Sequence, residues 1–119
     1  MLPPHLTVLC LYVDDRNNLW VGTNRGVWRF DGRDWVKYDK SDGLPDKRVM
    51  AILKDSEGNY WFGTPVGVVR WNGTNWEIFN TTDGLSSNYV TDIKEDEDGH
   101  IWVATAAGFL KFKDSKWRV

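Results

Sequence analysis

The side chains that could do chemistry are few and scattered. The densest group is Asp96-Glu97-Asp98-Gly99, which superficially matches a calcium loop. Such a loop needs oxygen ligands in the order Asp-x-Asp-x-Asp-Gly with a distal bidentate Glu. That spacing is missing, so the segment reads as a hairpin turn with solvated charge, as do Asp55-Ser56-Glu57-Gly58 and Asp14-Asp15-Arg16-Asn17. His5 and His100, the only histidines, stand far apart and read as surface residues. Cys10 is the single cysteine, which excludes an internal disulfide and a Cys/His zinc set. It lies in the apolar run Val8-Leu9-Cys10-Leu11-Tyr12-Val13 and reads as a small buried thiol. Gly-x-Ser-x-Gly, phosphate-loop and glycosidase signatures are missing, and the sequons Asn72-Gly73-Thr74 and Asn80-Thr81-Thr82 have ordinary turn composition. No catalytic residue, metal ligand or cofactor is assigned.

The elements that would position any site are set by a repeat. Trp20, Trp61 and Trp102 stand 41 residues apart, and Trp35, Trp76 and Trp117 repeat the same step. Sliding the chain on itself by this period aligns Asn18-Leu19-Trp20-Val21-Gly22-Thr23 with Asn59-Tyr60-Trp61-Phe62-Gly63-Thr64 and His100-Ile101-Trp102-Val103-Ala104-Thr105. Gly26, Gly67 and Gly108 also align, as do Arg29, Arg70 and Lys111, and Asp42-Gly43-Leu44 with Asp83-Gly84-Leu85. Periods of this length mark solenoids, propellers or arrays. In the middle copy, segments 49–55, 59–64, 68–72 and 75–80 read as four short strands joined by Gly-containing turns, since glycine reaches positive φ at little steric cost. No segment sustains the 3.6-residue apolar period of a helix.

In the second strand Tyr60, Trp61 and Phe62 are consecutive and project to opposite faces, so both faces must be covered. Four-stranded antiparallel meanders of about 40 residues packed face to face around an axis describe a β-propeller with one repeat per blade. The expected fold is all-β, one propeller-arc domain over 1–119, with blades at 1–41, 42–82 and 83–119. Trp20, Trp61 and Trp102 are read as packing residues, Trp35, Trp76 and Trp117 as clamps between blades, and Trp28 as a core residue aligned with Val69 and Leu110.

Asp42-Gly43-Leu44-Pro45, Val49, Ile52, Asp55-Ser56-Glu57-Gly58-Asn59 and Trp61-Phe62-Gly63-Thr64 together resemble the two-component regulator propeller repeat. The third copy matches through Asp83-Gly84-Leu85-Ser86-Ser87-Asn88, Val90, Ile93, Glu97-Asp98-Gly99 and Trp102. The resemblance implies a propeller of the kind found in extracytoplasmic, periplasmic sensor regions of bacterial hybrid two-component systems, where such repeats respond to ligands, often sugars. The Trp-rich repeats are also similar to those of streptogramin lyases, whose catalysis uses a histidine and a metal; no His/Glu pair here marks such a site. The expected function is non-catalytic recognition, with a lyase or hydrolase at the central entrance, or a structural fragment of a larger propeller, as alternatives.

Met1 aligns with Asp42 and Val119 with Ile78, so the chain holds three nearly complete blades. Three blades cannot close a ring, because propellers need four to eight. Two open faces rich in Trp, Leu, Val and Phe would mark an interface. The expected partner is a second copy, giving a six-bladed ring by head-to-tail closure; three copies would give nine blades. With 15 Lys+Arg against 17 Asp+Glu and a net charge of −2, there is no basic field for nucleic acid. No apolar run is long enough for membrane insertion.

Loops between blades and between the second and third strands emerge together, at 2–7, 40–48 and 81–89 with 23–26, 64–67 and 105–108. They diverge between copies: Asn24-Arg25 against Pro65-Val66 and Ala106-Ala107, and Lys47-Arg48 against Asn88-Tyr89 and Leu6-Thr7. Divergence inside a regular repeat is what a ligand face shows, and also what unconstrained loops show. The candidate ligand-binding residues are Asn24, Arg25, Lys47, Arg48, Asn88 and Tyr89. They offer cationic donors, amides and an aromatic face to a small polar or sugar-like ligand, or to a protein.

Overall fold

The computed structural model describes residues 2–3, 5–85 and 87–118; Met1, Pro4, Val119 and the Ser86 of the third-copy motif lie outside the described residues. Twelve strands follow in order: β1 Val8–Val13, β2 Leu19–Thr23, β3 Gly26–Phe30, β4 Trp35–Tyr38, β5 Ala51–Lys54, β6 Tyr60–Thr64, β7 Gly67–Trp71, β8 Trp76–Phe79, β9 Val90–Glu95, β10 Ile101–Thr105, β11 Gly108–Lys113 and β12 Lys116–Arg118. They form three antiparallel four-stranded sheets in which each strand pairs with its neighbour in sequence. In the middle copy β5, β6 and β8 fall within the segments read as strands, trimmed at their ends, whereas β7 begins one residue early, at Gly67, which the sequence reading places in the turn. Short 3-10 turns at Lys40–Asp42 and Thr81–Asp83 lie in the loops between sheets. No helix among the described residues is long and apolar enough to cross a membrane.

The register explains the repeated cations. Arg29, Arg70 and Lys111 lie directly across from Trp20, Trp61 and Trp102 on the adjacent strand. Each holds its charge over that indole, at 5.6, 5.4 and 5.2 Å from the ring centroid. A cation over an indole face is attracted by the ring quadrupole while its stem covers apolar surface. The repeat thus conserves a stacked pair, not a charge on the surface.

The cores lie between sheets. Trp20, Val27 and Tyr38 of the first sheet pack on Ile52, Phe62, Val69 and Trp71 of the second. Ala51, Trp61, Val68 and Phe79 of the second pack on Ile93, Ile101, Val103 and Leu110 of the third. Trp76 reaches back to Tyr38, and Trp117 to Trp61 and Phe79, so both clamp neighbouring sheets; among the described residues Trp35 makes its aromatic contact with Phe30 of its own sheet and with no neighbouring sheet. Glycine is required where the sheets touch. A Cβ on Gly63 would stand 2.8 Å from Val90, and one on Gly22 would strike Cys10 and the Val49 carbonyl. The third copy carries Ala104 at this position, on a face that no sheet covers.

The arc is open at both ends, and burial marks where. Leu11 is 64% exposed, whereas its counterparts Ile52 and Ile93 are 8% and 2% exposed. At the other end Phe109 is 62% exposed, whereas Val27 and Val68 are 0% exposed. Trp28 is buried as expected, although it belongs to the outward face of the first sheet.

Candidate functional site

The antiparallel meander sorts the loops into two ends. At one end lie the hairpin turns after β1, β5 and β9. Here Asp14, Asp55 and Asp96 do one job three times. Oδ1 of each accepts the backbone N–H groups two and four residues on, at 2.9 to 3.0 Å. Oδ2 accepts the indole N–H of Trp20, Trp61 or Trp102 at 2.9, 2.8 and 2.8 Å. The turns are the expected hairpins, but their leading carboxylates are not simply solvated. Asp14 is buried and also accepts from Asn18 Nδ2 at 3.1 Å and from the Tyr60 hydroxyl of the next sheet at 2.7 Å.

Burial alone would raise the Asp14 carboxyl, but the bonds from Trp20, Tyr60 and Asn18 outweigh it and hold the group well below the ordinary carboxylate range. The Tyr60 phenol is driven the other way, by burial and then by its bond to Asp14. All three carboxylates are committed to architecture, and the hydrogen bond from Trp102 likewise holds the Asp96 carboxyl below its ordinary value. Asp96, Asp98 and His100 bring one ligand atom each within 4.8 Å of one another. Both Asp96 oxygens are already taken, and the first two turns adopt the same shape with Arg16, Asn18, Glu57 and Asn59 in place of Asp98 and His100. The turn itself sets that grouping. His100 is half-buried, its Nδ1 3.7 Å from Asp96 Oδ2.

All six candidate binding residues lie at the opposite end, where the sheets connect, but they do not form one cluster. Asn24 is tied to the N-terminal segment: its N–H donates to the Thr7 carbonyl at 3.1 Å and its Oδ1 accepts from the Thr7 N–H at 3.0 Å. Ala106 and Tyr89 repeat the first of these bonds at 3.0 Å. Arg48 pairs with Asp46 at 3.2 Å, and Asn88 Oδ1 accepts from the Thr81 N–H at 2.8 Å. Tyr89 keeps an exposed ring. Arg25 and Lys47 meet in a cleft of about 420 Å³ whose other lining residues are Lys37, Asp39, Lys40 and Ser41. Those four were not singled out in the sequence. The signal was available, because Lys37 and Lys40 align with Ile78 and Thr81, the same loss of charge that marked Arg25 and Lys47.

Antiparallel four-stranded sheets in sequence, stacked face to face with β1, β5 and β9 as successive neighbours, are the blades of a β-propeller. The profile of the two component regulator propeller matches residues 2–25, 43–65 and 84–107, and the chain belongs to that family. It is similar to the extracellular domain of a protein described as a hybrid two component system from B. thetaiotaomicron, with 28% identity and a TM-score of 0.84 over 96% of this chain and 17% of that one. It is also similar to a catalytically inactive variant of virginiamycin B lyase from Staphylococcus aureus, crystallised with quinupristin. There the identity is 19% and the TM-score 0.75, over 95% of this chain and 40% of the lyase. The chain therefore spans less than half the length of either relative, and the second likeness is one of fold. No curated protein matched.

Proposed function

We propose that this chain is a non-catalytic recognition module of the two-component sensor kind, binding its ligand at the end where the blades connect. One contrast carries the reading. The groups most able to do chemistry are spent identically in every copy on holding turns and indoles, whereas the residues that change between copies gather at the connecting end. The first strand of the third sheet also carries a carboxylate, Asp92. Its counterparts are Cys10 and Ala51, so the carboxylate does not recur.

The reading includes completion of a ring by a second copy. Both internal interfaces use the same positions, and the two open faces repeat them: Trp102, Ala104, Phe109 and Lys111 on the third sheet, and Leu11, Leu19 and Phe30 on the first, beside Val21 and Trp28, which are already buried within the chain. A head-to-tail contact continuing that pattern closes two chains at six blades. A panel of small polar molecules, neutral saccharides included, screened by calorimetry against the wild type and Tyr89→Ala and Arg25→Ala variants tests the recognition claim. Binding lost in a variant of unchanged melting temperature supports it. Binding to the wild type that neither variant weakens would remove these residues from the site, and turnover of any panel member would overturn the non-catalytic reading.

A further inference from the structure

The two connections between sheets share one frame. Asp39 caps the turn Lys40–Asp42, and Asn80 caps the turn Thr81–Asp83, each through the same reciprocal bonds with the acid three residues on. On this frame the cleft residues Arg25, Lys37, Asp39, Lys40, Ser41 and Lys47 take positions held at the second connection by Val66, Ile78, Asn80, Thr81, Thr82 and Asn88. Four cations at the first connection correspond to no charge at the second. The second connection is built without them, and no ion pair or ring contact among the described residues accounts for Arg25, Lys40 or Lys47. Gathering like charges costs stability through self-repulsion.

Asp39, the one acid in the lining, is already satisfied. Its Oδ1 accepts from Ser41 N–H at 2.9 Å and Ser41 Oγ at 2.6 Å, and its Oδ2 lies 3.4 Å from Lys37 Nζ. Lys37 also stands 5.3 Å over the Trp28 ring. Of the nearby acids outside the lining, Asp42 accepts from the Asp39 N–H at 2.9 Å and Asp46 is paired with Arg48 at 3.2 Å. Arg25, Lys40 and Lys47 thus have no ion pair among the described residues. We propose that this cleft binds a small multivalent oxyanion, a molecule carrying carboxylate, sulfate or phosphate groups. The Arg25 fork suits bidentate contact with such a group and the lysines supply point charges around it. A volume of about 420 Å³ suits a small molecule better than a single ion. The inference rests on the recognition reading above and gives its ligand a chemical class.

The internal repeat supplies the test. Arg25→Val, Lys40→Thr and Lys47→Asn together give the first connection the residues of the second, so the fold has already accepted them. Titrations with inorganic pyrophosphate, with citrate and with glucose as a neutral control are run by calorimetry at low ionic strength, with melting temperature in parallel. The wild type is expected to bind at least one anion, more weakly as salt rises. The triple variant is expected to lose about tenfold or more in affinity, with a melting temperature within about 2 °C of the wild type. Preference between pyrophosphate and citrate separates phosphate-like from carboxylate ligands. Should the triple variant be destabilised, Arg25→Gln and Lys47→Gln singly must each weaken the anion. Equal binding by wild type and variants, or no anion binding at millimolar concentration, overturns the oxyanion site. Glucose bound by both proteins while neither anion binds would overturn it and leave the recognition reading standing.

Discussion

Replacing Asp14 by asparagine is the sharpest test of how the blades are held. The Asp14 carboxylate takes five donors on two oxygens: two backbone N–H groups on Oδ1, and Asn18 Nδ2, Trp20 Nε1 and the Tyr60 hydroxyl on Oδ2. An amide has one accepting oxygen. Whichever way it turns, its NH2 faces at least two N–H or O–H donors, and buried donors are left unpaired. A hydrogen bond to a charged group contributes roughly 1.5 to 3 kcal/mol, so two such losses cost about 3 kcal/mol or more. At roughly 4 to 8 °C per kcal/mol for a domain of this size, the melting temperature should fall by at least about 12 °C. The same change at Asp55 orphans one fully buried indole and should cost about 2 kcal/mol, while at Asp96, whose Trp102 is only half-buried, it should cost about 1 kcal/mol. Thermal and denaturant unfolding of Asp14→Asn, Asp55→Asn and Asp96→Asn read that order directly, and Tyr60→Phe combined with Asp14→Asn isolates the bond between blades. Equal losses at all three sites, or no coupling between Asp14 and Tyr60, would refute the assignment.

Other consequences follow from the same geometry. The Asp14 carboxyl titrates lower in the folded chain than in the unfolded one, so its contribution is complete above the unfolded value of about 4 and is lost as pH falls toward the folded one. The wild type should lose stability below pH 4 more steeply than Asp14→Asn, as melting curves from pH 2 to 7 would show. Burial pushes the Cys10 thiol up to about 11, which predicts alkylation at pH 8 roughly 100-fold slower than for an unperturbed thiol; a rate like that of free cysteine contradicts the packing. Gly43 and Gly84 both have positive φ, but a Cβ on Gly43 would strike the Trp76 ring, whereas one on Gly84 meets nothing nearer than Trp117 Cβ at 3.6 Å. Gly84→Ala should cost about 1 kcal/mol and Gly43→Ala about 3, read from denaturant midpoints.

The architecture was legible because its determinants recur. Three tryptophans at one strand position, each followed two or three residues later by Gly-Thr or Ala-Thr, could only be satisfied by sheets covered on both faces, and the 41-residue step then placed every strand. The carboxylate clamp was less so. Asp14, Asp55 and Asp96 precede their tryptophans by six residues in every copy, but an acid in a turn next to other charges looks solvated until the strand register brings the indole N–H to it. Tyr60 could not be foreseen as its partner, since Leu19 and Ile101 stand at the equivalent positions. At the connecting end, divergence between copies pointed to Arg25 and Lys47. It did not show that Lys37 and Lys40 join them, because that depends on how β4 and the following turn fold beside the loop after β2. It also could not separate Asn24, which the structure spends on Thr7, from residues left free to meet a ligand.

What covers the outward faces of the first and third sheets decides whether the blades close into a ring. Light scattering across a dilution series measures this directly, with Phe109→Glu as the interface variant. The account predicts a species of twice 13.8 kDa in the wild type and a monomer in Phe109→Glu. A wild-type chain that stays folded and monomeric at every concentration would contradict ring closure by a second copy.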